Sequence, residues 1–139
     1  AQYGAFAING RETDVVEEIR KFTGGKGVDV SIEMIGLPQT QKQALQCVGP
    51  MGRVVLVGLS DKDLAVHTYS EILGNEVELI GSNDHRLQEL PTLIKFAALK
   101  KLDISHIVTK VIPLDAQAIN ETLDALEKFG AGVRTVIVP

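Results

Sequence analysis

Apolar and polar positions along this chain switch between two periods, and the switches mark out most of its elements. From Asp14 onward, Val15, Val16, Ile19 and Phe22 recur at helical spacing. Asp14 stands three residues before Glu17, as in a helix-capping arrangement, and Gly24-Gly25 supplies a stop, so a short amphipathic helix is predicted from about Asp14 to Phe22. Glu17 and Lys21, four apart, suit its solvent face. Val28 to Met34 then alternates apolar and polar residues with the period of a strand. Gly36-Leu37-Pro38 ends that strand and opens a second helix, with Gln41, Ala44, Leu45 and Val48 facing inward and Gly49-Pro50 closing it. Arg53 to Gly58 has a continuous apolar centre, the pattern of a strand covered on both faces, and Glu76 to Gly81 reads as another strand.

Fainter signals complete the outline. Ala5-Phe6-Ala7-Ile8, within Gly4 to Asn9, predicts a short strand near the start, and Ala65 to Thr68 a second extended run. After a polar turn at Ser82-Asn83-Asp84, Leu87, Leu90, Ile94 and Ala97 share a helical face. Pro91 fits there only in a first turn, so that helix runs from about Gln88 or Glu89 to Lys100. Ile107 to Pro113 is predicted as a strand. Asp115 caps a helix carrying Ala118, Ile119, Leu123, Leu126 and Phe129, Gly130 ends it, and Val133 to Val138 forms a terminal strand. Helices alternating with strands imply right-handed crossovers on a parallel sheet, an α/β fold. A change to a mixed tail after about residue 100 divides the chain into 1–100 and 101–139, two parts expected to pack together.

Composition narrows the function classes. A chain of 139 residues, 45% hydrophobic and 23% charged with the charges dispersed, fits one folded domain. The net charge of -4, with only Lys95, Lys100 and Lys101 clustered, lacks the basic field that nucleic acid requires. No apolar run reaches the roughly 18 residues of a spanning helix, and AQYGAFAING has neither the basic flank nor the apolar region of a secretory signal. Cys47 is the only cysteine, which excludes an internal disulfide and a thiolate cage. A soluble, cytoplasmic protein is expected.

In an open parallel sheet, ligands bind beyond the carboxyl ends of the strands. Here the following loops contain Gly36, Gly58 and Gly81-Ser82, where glycine allows close backbone approach to a flat ligand or simply satisfies a turn. A phosphate-binding G-x-G-x-x-G turn does not occur. Gly24-Gly25-Lys26-Gly27 precedes a strand rather than following one into a helix, so it reads as a helix stop. His67, His85 and His106 form no short-spaced pair, Cys47 reads as a small buried hydrophobe, and Asp61, Asp63, Asp84 and Glu89 as solvated loop carboxylates. No metal site is expected. Arg134 begins an apolar strand, where a guanidinium can either hold phosphate or simply meet solvent.

The phrases FTGGKGVDVSIEMIG, ALQCVGPMGRVVLVGL, NEVELIGS and IPLDAQAINETLDALEKFGAGVRTVIVP occur in this order over nearly the whole chain. Together they resemble the C-terminal portion of the medium-chain dehydrogenase/reductase family, in its zinc-type alcohol dehydrogenase branch. The resemblance implies a partial Rossmann-like parallel sheet that lacks the first mononucleotide-binding half and carries a C-terminal helix and strand tail. It implies that Ile35 and Gly36 approach the adenine-side ribose or pyrophosphate of NAD or NADP. Val57, Gly58 and Leu59 match the nicotinamide pocket, Gly81, Ser82 and Asn83 the next cofactor-facing strand end, and Arg134 a phosphate clamp. The family's glycine-rich turn, acidic ribose reader, zinc ligands and proton-relay hydroxyl match no segment of this chain. No catalytic residue is therefore assigned to it, zinc is expected in the complete parent family but not on this chain, and hydride transfer by the chain alone is not expected.

The function implied is that of a fragment or subunit of an NAD(P)-dependent alcohol dehydrogenase-like oxidoreductase. The alternative is a noncatalytic interaction or scaffold protein that keeps a partial nucleotide-binding fold. The Glu76 to Gly81 strand resembles one that pairs across a two-fold axis, so a homodimer through it, or a missing N-terminal polypeptide, is the expected partner.

Overall fold

The computed structural model describes residues 4–128, 132 and 134–139. The chain divides into two compact units, Ala1–Asp84 and His85–Pro139.

The first unit opens with α1, Val15–Phe22. The Asp14 carboxylate accepts the Glu17 amide at 3.0 Å, satisfying one of the donors that a helix start leaves orphaned. Lys21 bridges to Glu17 at 2.9 Å and to Glu18 at 3.0 Å on the solvent side. Beyond Phe22 the chain turns through Gly24, Gly25 and Gly27, all at positive φ. A side chain at Gly27 would collide with the Cys47 carbonyl and the Gly49 amide, at 2.7 Å each. The glycine run is thus the helix stop and turn that its position before a strand implied.

β1 (Val28–Glu33), α2 (Pro38–Cys47), β2 (Val48–Leu56) and β3 (Glu78–Gly81) follow. The strands form one parallel sheet in the order β1-β2-β3. Pro38 stands in the first turn of α2, where its missing N–H costs nothing. β2 begins earlier than Gly49-Pro50 suggested, because Val48 already pairs with Val28. The register then shifts, and residues 49–52 leave the ladder before Val30 meets Arg53. Gln41, Ala44, Leu45 and Val48 are all buried, as the helical spacing predicted. Ala44, Leu45 and Val48 join Val54 and Val77 in the core, with Val28, Leu56, Val66 and Ile72 packed around them.

Arg20 fastens α1 to this core. Its guanidinium donates to the carbonyls of Gln46 and Val48 at 2.9 Å and of Gly25 at 3.2 Å, answering acceptors exposed where α2 ends. Glu71, in a π-helical turn at Thr68–Ile72, pairs with Lys42 of α2 and accepts the His67 amide at 2.7 Å. Lys42 holds the Glu71 carboxyl below the usual carboxylate range.

Two predicted strands are not formed. Residues 5–9 pair with no strand; Phe6 instead stacks on Phe22 with ring centroids 5.0 Å apart. Residues 65–67 are irregular and lead into the π-helical turn.

The second unit contains α3 (Leu90–Ala98), β4 (Val108–Pro113), α4 (Ala116–Leu126) and β5 (Arg134–Val138), with β4 and β5 parallel. Pro91 lies in the first turn of α3, and Asp115 caps α4 by accepting the Ala118 amide at 2.9 Å. The predicted contributions of Phe129, Gly130 and Val133 lie outside the described residues. Both sheets are open and flanked by crossover helices, a partial Rossmann-like arrangement with a C-terminal helix and strand. Among the described residues no helix is long and apolar enough to cross a membrane.

Candidate functional site at the carboxyl ends of the strands

β1, β2 and β3 run parallel and end level, Glu33 opposite Leu56 and Leu56 opposite Gly81, so their carboxyl ends stand side by side. Two adjoining depressions lie over those ends and share Leu59 and Ser60. The first, about 580 Å³, is lined by Ile35, Gly36 and Leu37 on one side and residues 59–62 on the other. The second, about 470 Å³, is lined by Val57, Gly58, Leu59, Gly81, Ser82 and Asn83 among others. All the candidate site residues of the first unit are therefore gathered on one rim.

Backbone contact holds this rim together. Gly36 has φ of +85°, and a Cβ there would fall 1.9 Å from the Leu59 carbonyl oxygen; at Gly58 one would fall 2.2 Å from the Gly36 amide nitrogen. These two glycines serve the approach of one strand-end loop to the next. Gly81 is different: a Cβ there meets nothing within 4 Å.

A residue outside the predicted set organises the same rim. Glu33, the last residue of β1, is buried at 4% exposure. Its carboxylate accepts the amides of Ile35 at 2.8 Å and Gly36 at 2.9 Å and the Thr40 hydroxyl at 2.7 Å. Burial pushes this carboxyl up, but the Thr40 hydroxyl and the Gly36 and Ile35 amides outweigh it and hold the group below the usual carboxylate range. The Glu33 carbonyl in turn accepts the Val57 and Gly58 amides, at 2.8 and 3.1 Å. With the Ser82 amide likewise given to the Leu56 carbonyl at 2.9 Å, these strand ends have spent those three amides inside the fold.

The alternation in β1 carried the signal for Glu33 with the phase reversed. Val30 and Ile32 are 51% and 61% exposed, whereas Glu33, one residue further on, is buried against α2. A groove of about 500 Å³ runs along β1, lined by Val15 and Ile19 of α1, by Val30, Ile32 and Met34, and by Ala44 and Cys47 of α2. Among the described residues β1 pairs only with β2 and so forms one edge of the sheet.

Arg134 begins β5 in the second unit, opposite Val108, and helps line a separate cavity of about 220 Å³ with Ile112, Ile119 and Leu123. His67 caps the π-helical turn, its Nδ1 accepting the Ser70 amide at 3.3 Å. Cys47 is free and buried, and burial pushes its thiol pKa up. Among the described residues no three His, Cys, Asp or Glu side chains converge as metal ligands.

The sequence profile of the zinc-binding dehydrogenases matches residues 1–99. The chain belongs to this family. It is 34% identical over 134 residues to an NAD-dependent alcohol dehydrogenase of Sulfurisphaera tokodaii, covering 96% of this chain and 37% of that enzyme. It is 33% identical over 121 residues to a sorbitol dehydrogenase of Bacillus subtilis, covering 87% and 33%. The solved structure of 2R,3R-butanediol dehydrogenase from Bacillus subtilis superposes with a TM-score of 0.86 at 31% identity, over 99% of this chain and 39% of that one. This family member thus spans little more than a third of the length of its relatives.

Proposed function

We propose that this chain supplies one wall of a dinucleotide cleft in an NAD(P)-dependent alcohol dehydrogenase-like oxidoreductase, as a fragment or subunit that has no catalytic residue of its own. The single observation that supports the reading most is the gathering of Ile35, Gly36, Val57, Gly58, Leu59, Gly81, Ser82 and Asn83 on one rim beyond the strands. The rim suits a flat ligand: Gly81 leaves a space that a side chain would fill, and the depressions are broad and adjoining. Since the Val57 and Gly58 amides are engaged by Glu33, the carbonyls of these residues are the groups left to accept a carboxamide N–H₂. The bound nicotinamide would supply the hydride chemistry. Arg134, in the second unit, is kept as a separate phosphate-binding candidate through its fork of donors. The residues described do not fit a zinc site, and no step of the reading passes through one.

Whatever completes the cleft must come from further polypeptide. The exposed Val30 and Ile32, on a strand that is an edge among the described residues, favour a protein-binding role for this face as well, which keeps an interaction or scaffold protein as the second reading. A reducing, cytoplasmic setting goes with the free Cys47, and cell fractionation is its check.

Calorimetric titration of the chain with NADH and NADPH tests the first reading. Saturable one-to-one binding is expected. Absence of saturation up to millimolar dinucleotide would favour the scaffold.

A further inference from the structure

We infer that Glu33 is a positioning residue for dinucleotide binding: its buried carboxylate holds the Ile35-Gly36 turn in the shape that the cleft requires. The inference rests on the cofactor reading and adds a residue and a pH dependence to it. Every group the carboxylate touches belongs to the rim or supports it. Ile35 and Gly36 donate from the turn, and Thr40 donates from the first turns of α2. The main chain of the same residue accepts the Val57 and Gly58 amides, so one residue fixes the ends of both β1 and β2.

The need for such a clamp follows from the crowding. Gly36 adopts φ of +85° with its α-carbon pressed toward the Leu59 carbonyl, while Gly58 presses toward the Gly36 amide. Glycine has the widest backbone freedom of any residue, so a turn built on it needs an outside constraint to keep one conformation. Two amides pointing at a single anionic oxygen provide that constraint, and charge-assisted hydrogen bonds are the strong kind. The groups facing the carboxylate are the Ile35 and Gly36 amides and the Thr40 hydroxyl. Protonation therefore takes the charged acceptor away from these three donors. As pH falls through the depressed pKa of Glu33, the turn should loosen and dinucleotide affinity should fall.

The test uses the 139-residue chain, ¹⁵N-labelled, with the acid-stable NAD⁺ as probe. In the wild type, the Ile35 and Gly36 amide resonances should shift together on acidification, with a midpoint below the roughly 4.3 of an ordinary glutamate. NAD⁺ affinity should weaken across the same step. In Glu33→Gln, similar in shape but uncharged, both resonances should be displaced at neutral pH, NAD⁺ affinity should fall about tenfold, and the acid step should vanish. Glu33→Gln that folds, binds NAD⁺ as the wild type does and keeps the acid step overturns the inference. Should that variant fail to fold, the wild-type titration decides: Ile35 and Gly36 amides indifferent to the acid step refute the clamp. Failure of the wild type to bind NAD⁺ at all is a different result, which sinks the cofactor reading itself and this inference with it.

Discussion

Gly36 and Gly81 both follow a strand, yet their surroundings give them opposite roles. Gly36 sits at positive φ with the Leu59 carbonyl where a methyl group would go, whereas Gly81 borders open space at an ordinary φ. Gly36→Ala should thus combine left-handed strain with a collision and lower unfolding stability by about 2–4 kcal/mol. Gly81→Ala should change stability by no more than about 1 kcal/mol. In the proposed cleft, however, the new methyl group should narrow the place where ligand lies and weaken dinucleotide binding. Urea unfolding of both variants, with NADH titration of the second, checks the pair. Equal loss of stability at both positions would contradict the account. Residue types alone cannot separate the two cases, because the collision at Gly36 comes from Leu59, a residue 23 positions away that only the fold brings near.

Among the elements, helices were legible where their starts carry a local signal: Asp14 and Asp115 cap α1 and α4, and Pro38 opens α2 from its first turn. Strands were legible where they had neighbours. The apolar run near Phe6 has β-like composition but pairs with no strand among the described residues, and without a partner an extended segment has no ladder to hold it. β1 shows a further limit. Its alternation correctly separates Val30, Ile32 and Met34 from Asp29, Ser31 and Glu33, but the period does not say which set faces a helix. Here Glu33 alone of the polar set is buried, bonded to Thr40 of α2, while Asp29 is exposed and Val30 and Ile32 face the open groove. β3 is the opposite edge of the same sheet, and Leu79 and Ile80 on it are 41% and 39% exposed. We expect two copies to pair through this edge. Hydrogen exchange should then be slow at the β3 amides that point away from β2 and accelerate there on dilution, with sedimentation showing a dimer dissociating over the same range. A monomer at all concentrations with rapid exchange in β3 contradicts this pairing.

At the scale of the whole molecule, each unit is a small open sheet with helices, and the family relationship extends over a chain little more than a third as long as its relatives. The candidate rim was readable from sequence because strand ends and glycines mark it locally, and because four phrases in order resemble one family. Its geometry was not, since the adjoining depressions depend on register between strands far apart in the chain. In the proposed function this rim faces a dinucleotide. This is tested most directly by titrating the ¹⁵N-labelled chain with NADH and following every backbone amide. The account predicts saturable shifts concentrated at Ile35, Gly36, Gly58, Leu59, Gly81, Ser82 and Asn83. Saturable shifts concentrated instead along Val15, Ile19, Val30 and Ile32, or no saturation at any concentration, would contradict it.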